Sequence, residues 1–379
     1  MTTNPKAIDE AGALMLAFAE RTGLSSAREP RRYLWTDAFA VCNFLALARA
    51  TGDPRYGALA QRLVDQVHHL LGRHRPDAGR SGWLSGLGEA EGEAHPTRGG
   101  LRIGKTLPER GEGEPLDERL EWDRDGQYFH YLTKWMHALD QMARATRQPR
   151  FNLWGCELAT TAHSAFTQGP LGRHGRRMVW KMSCDLSRVL VPSMGHHDPL
   201  DGYITCVELQ ATATALHDGP SARKLDDAVG DFAAMLVDRD WTTTDPLGIG
   251  GLLADAYRVA QLMRRRAIAD ETLLDGLLAA AHAGLSHYVR QGDLRQPAAY
   301  RLAFRELGLA IGLSAISHID VGTSSRVATL TPYARVGTEI EEFWLDTGHR
   351  HAHTWREHLD INEVMLATSL VPDGFLVLS

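Results

Sequence analysis

Residues 44–56 read FLALARATGDPRY, and residues 139–151 read LDQMARATRQPRF. Each is an apolar helical stretch that stops at Ala-Thr, turns through a proline and restarts on an aromatic residue, Tyr56 in one and Phe151 in the other. The two turns lie 95 residues apart, Ala50 against Ala145. A helix–turn–helix unit cannot bury its apolar face alone, so a repeated one implies stacked hairpins that share a core. The pair therefore points to an all-α architecture, closed or stacked, with a face for ligands.

Outward from these turns, apolar residues recur with the 3.6-residue period of helices. Some twelve segments are expected, near 5–21, 36–51, 53–72, 126–147, 149–168, 201–217, 220–239, 247–266, 270–290, 298–317, 331–346 and 356–369. No run alternates convincingly as a strand; the closing GFLVLS comes nearest. Thr36-Asp37 and Asp201-Gly202 suit the starts of the second and sixth helices. Pro54 suits the first turn of the third. Short turns follow helices 2, 4 and 6, while 73–125 and 169–200 are long and rich in Gly, charge and His. Six hairpins joined this way make an (α/α)6 toroid, here expected as one domain over 1–379. Helices 2, 4, 6, 8, 10 and 12 are its inner set, and the long loops gather at one mouth. Long loops inside a compact fold are uncommon unless functional, and a mouth of this kind is the default ligand site.

Composition narrows the function. The formal net charge is −6, and the basic runs at 173–177 and 264–266 are short, so no nucleic-acid partner is expected. The N-terminus lacks an apolar signal core, and no stretch of about 18 apolar residues occurs, so no membrane is expected either. Cys42, Cys156, Cys184 and Cys206 lack C-x-x-C spacing. Buried thiols in a reducing cytoplasm fit that pattern. Phosphate-loop and G-x-S-x-G motifs are absent, and Gly82, Gly86, Gly88 and Gly92 are spaced like a flexible lid, with Trp83 as its anchor. No cofactor is expected.

Four places could carry chemistry. Asp37 sits between Trp35 and Phe39 at the mouth end of helix 2. The run from Glu121 through Trp122, Asp123, Arg124, Asp125 and Tyr128 packs three carboxylates, a guanidinium and two aromatics into eight residues, and His130 and Lys134 follow at helical spacing. Carboxylates set so close titrate together, which is one way to raise the pKa of an acid. His196, His197 and Asp198 open helix 6, within reach of Asp185 and Arg188. His349, His351 and His353 alternate before helix 12, with Trp355 after them; no H-E-x-x-H accompanies them, and no metal is expected. Arg301, early on helix 10, could clamp a carboxylate or phosphate.

The stretch YLWTDAFAVCNFLALARATGDPRY, residues 33–56, places an Asp at the head of an inner helix before a T-G-D-P-aromatic turn. In this it resembles the six-hairpin glycosidase-like superfamily, whose members include unsaturated glucuronyl hydrolases, many inverting glycosidases and sugar 2-epimerases. The resemblance in residues covers about the first 70 positions and the 126–167 hairpin. The Asn-Gly-Trp motif of the glucuronyl hydrolases is absent, so their specific activity is not implied. What the resemblance implies is a toroid acting on a small sugar or oligosaccharide. The leading expectation is a glycoside hydrolase working with two carboxylates, one of Asp123 and Asp125 against Asp37 or Asp198. Trp35, Trp122, Tyr128, His130, His196, His197, Arg301, His351 and Trp355 would bind the sugar. The alternatives are an epimerase using His196 or His197 against His351 or His353, and a toroid that binds a glycan or protein without turnover.

Overall fold

The two copies of the Ala-Thr turn are built alike. Each threonine hydroxyl bonds back to the carbonyl four residues earlier, Thr51 to Leu47 at 2.7 Å and Thr146 to Met142 at 2.6 Å. The next residue enters left-handed backbone, Gly52 at φ 71° and Arg147 at φ 58°. That conformation ends a helix and reverses the chain; glycine adopts it freely, whereas arginine does so at a cost of about 1 kcal/mol. A proline then opens the following helix in both copies.

The computed structural model describes residues 4–169, 176–216, 223–320 and 324–378. Its long helices are α1 (Pro5–Arg21), α2 (Leu34–Thr51), α3 (Pro54–Leu71), α4 (Phe129–Thr146), α5 (Pro149–Phe166) and α6 (Asp198–Ala215). They continue as α7 (Asp226–Leu236), α8 (Pro246–Arg264), α9 (Glu271–Gln291), α10 (Ala303–Ile316), α11 (Ala334–Leu345) and α12 (Leu359–Leu370). Each answers to one of the twelve periodic segments. The starts differ in detail. Helix α2 begins at Leu34 and α6 at Asp198, a few residues before the expected caps. Asp37 still serves the helix start, because its Oδ2 accepts the Tyr33 amide at 2.9 Å.

Two compact units emerge from the packing. One comprises Met1–Glu20, Cys42–Gly57 and Asp240–Ser379, the other Arg21–Val41 and Ala58–Arg239. In the second unit, Lys134 pairs with Asp201 at 3.0 Å and His137 with Glu208 at 2.8 Å. Residue numbers rise together on α4 and α6, so these two helices run parallel and α5 returns between them. In the first unit, Arg305 meets Asp245 at 2.6 Å, and a Cβ on Gly250 would overlap the Gly308 carbonyl. The Phe304 amide meets Asn362 at 2.9 Å, and four residues on, a Cβ at Gly308 would lie 3.6 Å from Met365. Helices α8, α10 and α12 are thereby parallel neighbours as well. Alternate helices running parallel is what stacked hairpins require.

Some features went unread in the sequence. Short strands frame the long loops: β1 (Gln127–Tyr128), β2 (Thr167–Gln168), β3 (Arg177–Met178), β4 (Lys181–Met182) and β5 (Val189–Val191). They form sheets β1-β4-β5 and β2-β3, all antiparallel. The closing segment that looked most strand-like holds a helical turn, Asp373–Leu376. The basic run at 173–177 lies partly outside the described residues.

The glycine-rich stretch 73–121 is an anchored part of its unit. Leu101 and Ile103 are fully buried, and Trp83 is buried under the Arg73 guanidinium, 4.2 Å from its ring centre. Arg102 donates to the carbonyls of Leu70 at 2.6 Å and Arg73 at 2.8 Å and pairs with Asp125. Thr97 reaches the Trp154 carbonyl at 2.8 Å, and Trp154 returns a bond to the Ala94 carbonyl at 2.9 Å. The expected flexible lid is thus corrected: Trp83 is an anchor, but so are Thr97, Leu101, Arg102 and Ile103.

Candidate active site

The 121–131 segment builds an aromatic wall in the second unit. Asp117 caps the short helix Glu118–Asp123 by accepting the amides of Arg119 and Leu120. The chain then turns through Gly126, at φ 146°, where a Cβ would press on the Met182 carbonyl. Strand β1 follows and pairs Tyr128 with Lys181 of β4. The Lys181 ammonium is fully buried. It donates to the carbonyls of Glu121 at 2.7 Å and Arg124 at 2.9 Å, meets the Glu121 carboxylate at 2.9 Å, and lies 5.2 Å from the Tyr128 ring centre. This cation pins the turn that carries Trp122 and Asp123.

The rings on that frame touch one another. Trp122 meets Trp180 edge to face at 4.9 Å, and Tyr128 lies 5.1 Å from Trp180. His130 stacks over Tyr128 at 5.5 Å and beside Trp180 at 6.1 Å. Tyr131 crosses His130 edge-on at 4.7 Å, and its hydroxyl meets that of Tyr33 at 2.5 Å. Trp122 is 50 % exposed, so the wall has an open indole face. Burial pushes the Tyr33 phenol up to about 12, which keeps it a neutral donor and acceptor.

His130 has a defined role on the wall. The Trp180 indole N–H can only donate, so His130 Nδ1, 3.3 Å away, accepts. Burial holds the imidazole down to about 4, against the opposing charge of Asp201 and with help from Lys134. It is neutral at pH 7, and its proton sits on Nε2. His130 is therefore a hydrogen-bond donor beside the aromatic faces.

One turn further along α4, Lys134 holds Asp201. Asp198, in the first turn of α6, is 4 % exposed, and its Oδ2 is buried without a hydrogen-bond partner. Burial raises its carboxyl to about 7 and the Asp201 charge adds to this, while the Gly195 backbone and Lys134 pull the other way. Gly195 packs directly on the Asp198 carboxyl, where any Cβ would collide. A buried polar atom left unpaired in a native fold calls for an explanation, commonly a functional one.

The remaining sequence candidates divide clearly. Asp125 is fully buried. Its carboxylate pairs with Arg102, lies 3.5 Å from Arg75, and accepts the amides of Gly104 at 3.0 Å and Lys105 at 3.3 Å. Asp37 is buried against Arg32 at 3.4 Å. Both carboxylates hold backbone in place. Glu121 pairs with Arg110 and Lys181, and Arg124 pairs with Glu114. Asp123 is exposed at the end of its helix. Trp35 is core, 4.6 Å from Phe39. His196 is exposed and His197 half-buried, their rings 4.7 Å apart.

Arg301, His351 and Trp355 belong to the other unit. Arg301 is buried, bidentate on Glu306 at 2.7–3.0 Å, and lies 3.7 Å from the Phe343 ring centre; its donors are committed inside the fold. Trp355 is buried against Trp344. His351 meets Arg356 at 3.3 Å, and His349 stacks on Phe343 at 3.7 Å. Among the described residues no group of three or more His, Cys, Asp or Glu could hold a metal ion, and no helix is long and apolar enough to cross a membrane.

Sequence reading missed Trp180, Tyr33, Tyr131, Lys105 and Lys181. Trp180 and Lys181 sit in a hairpin of strands too short to show periodicity, and only the clustering of aromatics around 122–131 hinted at a partner. A cavity of about 500 Å3 also opens in this unit, lined by His74, Arg75, Asp77, Arg80, Glu109 and Asp185 among others. Its guanidiniums are already paired, Arg75 with Asp77 at 2.7 Å and Arg80 with Asp185 at 2.8 Å, and no Trp, Tyr or Phe lines it. The wall, with its open ring and the nearby Asp198 carboxyl whose Oδ2 lacks a partner, is the better-equipped site.

No family model and no curated protein matches this sequence. Among solved structures, the chain is similar to a GH76 α-mannanase of Bacteroides thetaiotaomicron, with a TM-score of 0.56 and 10% identity over 97% of this chain and 96% of that one. A sugar epimerase from a ruminal bacterium is matched with a TM-score of 0.45 and 11% identity over 86% of each chain. The first likeness shows the fold alone, an all-α (α/α)6 toroid.

Proposed function

We propose that this chain is a carbohydrate-active enzyme, most simply a glycoside hydrolase, with its sugar subsite on the Trp122–Tyr128–His130–Trp180 wall. The observation that carries the reading is Asp198: a buried carboxyl with an unpartnered oxygen and a pKa of about 7, linked through the Asp201–Lys134 pair to that wall. An acid kept protonated near neutrality can protonate a leaving glycosidic oxygen. Asp123, exposed on the same segment as Trp122, is the carboxylate we assign as its partner, activating water. Trp122 offers a ring to the C–H face of a sugar, and His130 Nε2–H offers a hydroxyl its hydrogen bond. The toroid shared with an α-mannanase supports the reading at the level of fold. The Arg-bound Asp125 and Asp37 support the fold around the site, so we leave them out of the proton transfers.

The test is turnover of a panel of α- and β-linked oligosaccharides, α-mannosides first, together with reducing monosaccharides. Asp198→Asn and Asp123→Asn should each lower hydrolysis by about 10²–10⁴-fold with binding retained. The double change His196→Ala/His197→Ala should be milder. Epimerisation of a reducing sugar that is lost with the histidines and kept without the carboxylates would replace hydrolysis by the epimerase reading. Glycan binding with no turnover would replace both by a binding toroid.

A further inference from the structure

One cation beside the wall, among the described residues, meets no carboxylate. Lys105 is half-buried, and its ammonium lies 5.4 Å from the Tyr33 ring centre. Its backbone is held on both sides: the amide donates to Asp125 at 3.3 Å, and the carbonyl accepts from Arg75 at 2.7 Å. Yet among the described residues the Nζ makes no hydrogen bond and no ion pair. Asp123 and Asp125 act on it only through space. Its neighbours differ: Arg75, Arg102, Arg110, Arg124, Lys134 and Lys181 are each engaged by a carboxylate. Partial burial lowers the Lys105 pKa, against the more distant pull of Asp123 and Asp125. A half-buried ammonium with no carboxylate in contact is one where a ligand oxyanion can take the place of water.

The position fits the wall. Tyr33, under the ammonium, bonds Tyr131 through its hydroxyl, and Tyr131 packs on Tyr128 at 5.2 Å and on His130. A sugar lying on Trp122 and Trp180 would carry its substituents along this row of rings. We infer that Lys105 is a specificity residue which receives an oxyanion on the sugar, so that the site takes an acidic glycan, one bearing carboxylate or sulfate groups. This rests on the wall being the sugar subsite. Arg301, which the sequence suggested for such a role, is saturated by Glu306.

The experiment is titration of the full chain, followed by calorimetry, with a tetragalacturonate, a sulfated tetrasaccharide and mannotetraose as the neutral reference. Wild type should bind at least one acidic probe about tenfold or more above the neutral one, the scale of one charge-assisted contact. Lys105→Met should bring that affinity down to about the neutral level, while Lys105→Arg should keep most of the preference. The two acidic probes tell carboxylate from sulfate. Preference for mannotetraose in wild type, or an acidic preference that survives Lys105→Met with the melting point unchanged, overturns the inference and leaves the sugar site standing. Binding of none of the three overturns both. Failure of Lys105→Met to fold would make the residue structural; Lys105→Gln, melting like wild type, then has to show the same loss of preference or the inference falls.

Discussion

Asp198 concentrates the residue-scale argument, because one carboxyl links burial, protonation and stability. Its carboxyl titrates near 7 in the fold against an ordinary 3.8. A raised carboxyl pKa means the folded state holds the proton more tightly than the unfolded chain. The stability this gives is fully present below about pH 4 and is lost as pH rises through about 7, where ionisation must occur in a buried site. Asn at this position carries no charge at any pH. Asp198→Asn should therefore gain melting temperature relative to wild type on going from pH 4.5 to pH 8, and wild-type turnover should decline above about pH 7 as the acid form disappears. A difference in melting temperature that does not change with pH would show that Asp198 is not a raised acid. The residue could be suspected in the sequence, where His196-His197-Asp198 opens a helix. Its state could not, because the main cause is burial, which only the packed fold supplies; Asp201 adds to it, while Gly195 and Lys134, the latter distant in the chain, oppose it. The same holds for Asp125 and Asp37: a carboxylate beside aromatics reads as a catalytic group until the arginines 23 and 5 positions away are seen to hold it.

At the scale of elements, the helices were legible and the long loop was not. Helical periodicity and turn chemistry act over four to seven residues, so the twelve segments were visible one at a time. The stretch 73–121 has neither period nor repeat, and its glycines suggested mobility. Its order comes from partners elsewhere in the chain: Leu70, Asp125 and Trp154 for the polar bonds, and the packing around Leu101, Ile103 and Trp83. Arg102 is central to it, with both ends of its guanidinium engaged inside the fold. Removing one partner of a buried ion pair leaves a charge uncompensated, a loss of about 3–5 kcal/mol. Arg102→Ala should lower the melting temperature by several degrees or more, and deleting residues 84–114 should abolish a cooperative melt. A deletion variant that melts within a few degrees of wild type would restore the lid. The site follows the same division: Trp122, Asp123, Tyr128 and His130 come from one continuous segment and were read together, whereas Trp180 and Lys181 reach them through strands only two residues long.

For the molecule as a whole, the repeated turn carried the fold, and the core it implied also decides the state of the cysteines. Cys42 lies on α2, Cys156 on α5 and Cys206 on α6, all on faces turned into their units, and Cys184 sits at the turn between β4 and β5. All four are buried, and none is in a disulfide. Burial pushes the Cys206 thiol up to about 12, and it raises that of Cys184 still further, with Asp125 and Glu109 adding to it. The thiolate is the reactive form, so a high pKa and burial suppress reaction together. Cys184 borders the charged cavity beside Arg75 and Arg80. A thiol-specific chromogenic disulfide at pH 8 should therefore leave three thiols of the native protein untouched over the time in which denatured protein yields all four, with Cys184 the one that reacts slowly. Reducing agent should leave the melting temperature unchanged, since no disulfide braces either unit. Rapid labelling of Cys42, Cys156 or Cys206 in the native state would mean that the inward helix faces, and with them the hairpin packing deduced from the two Ala-Thr turns, are open to solvent.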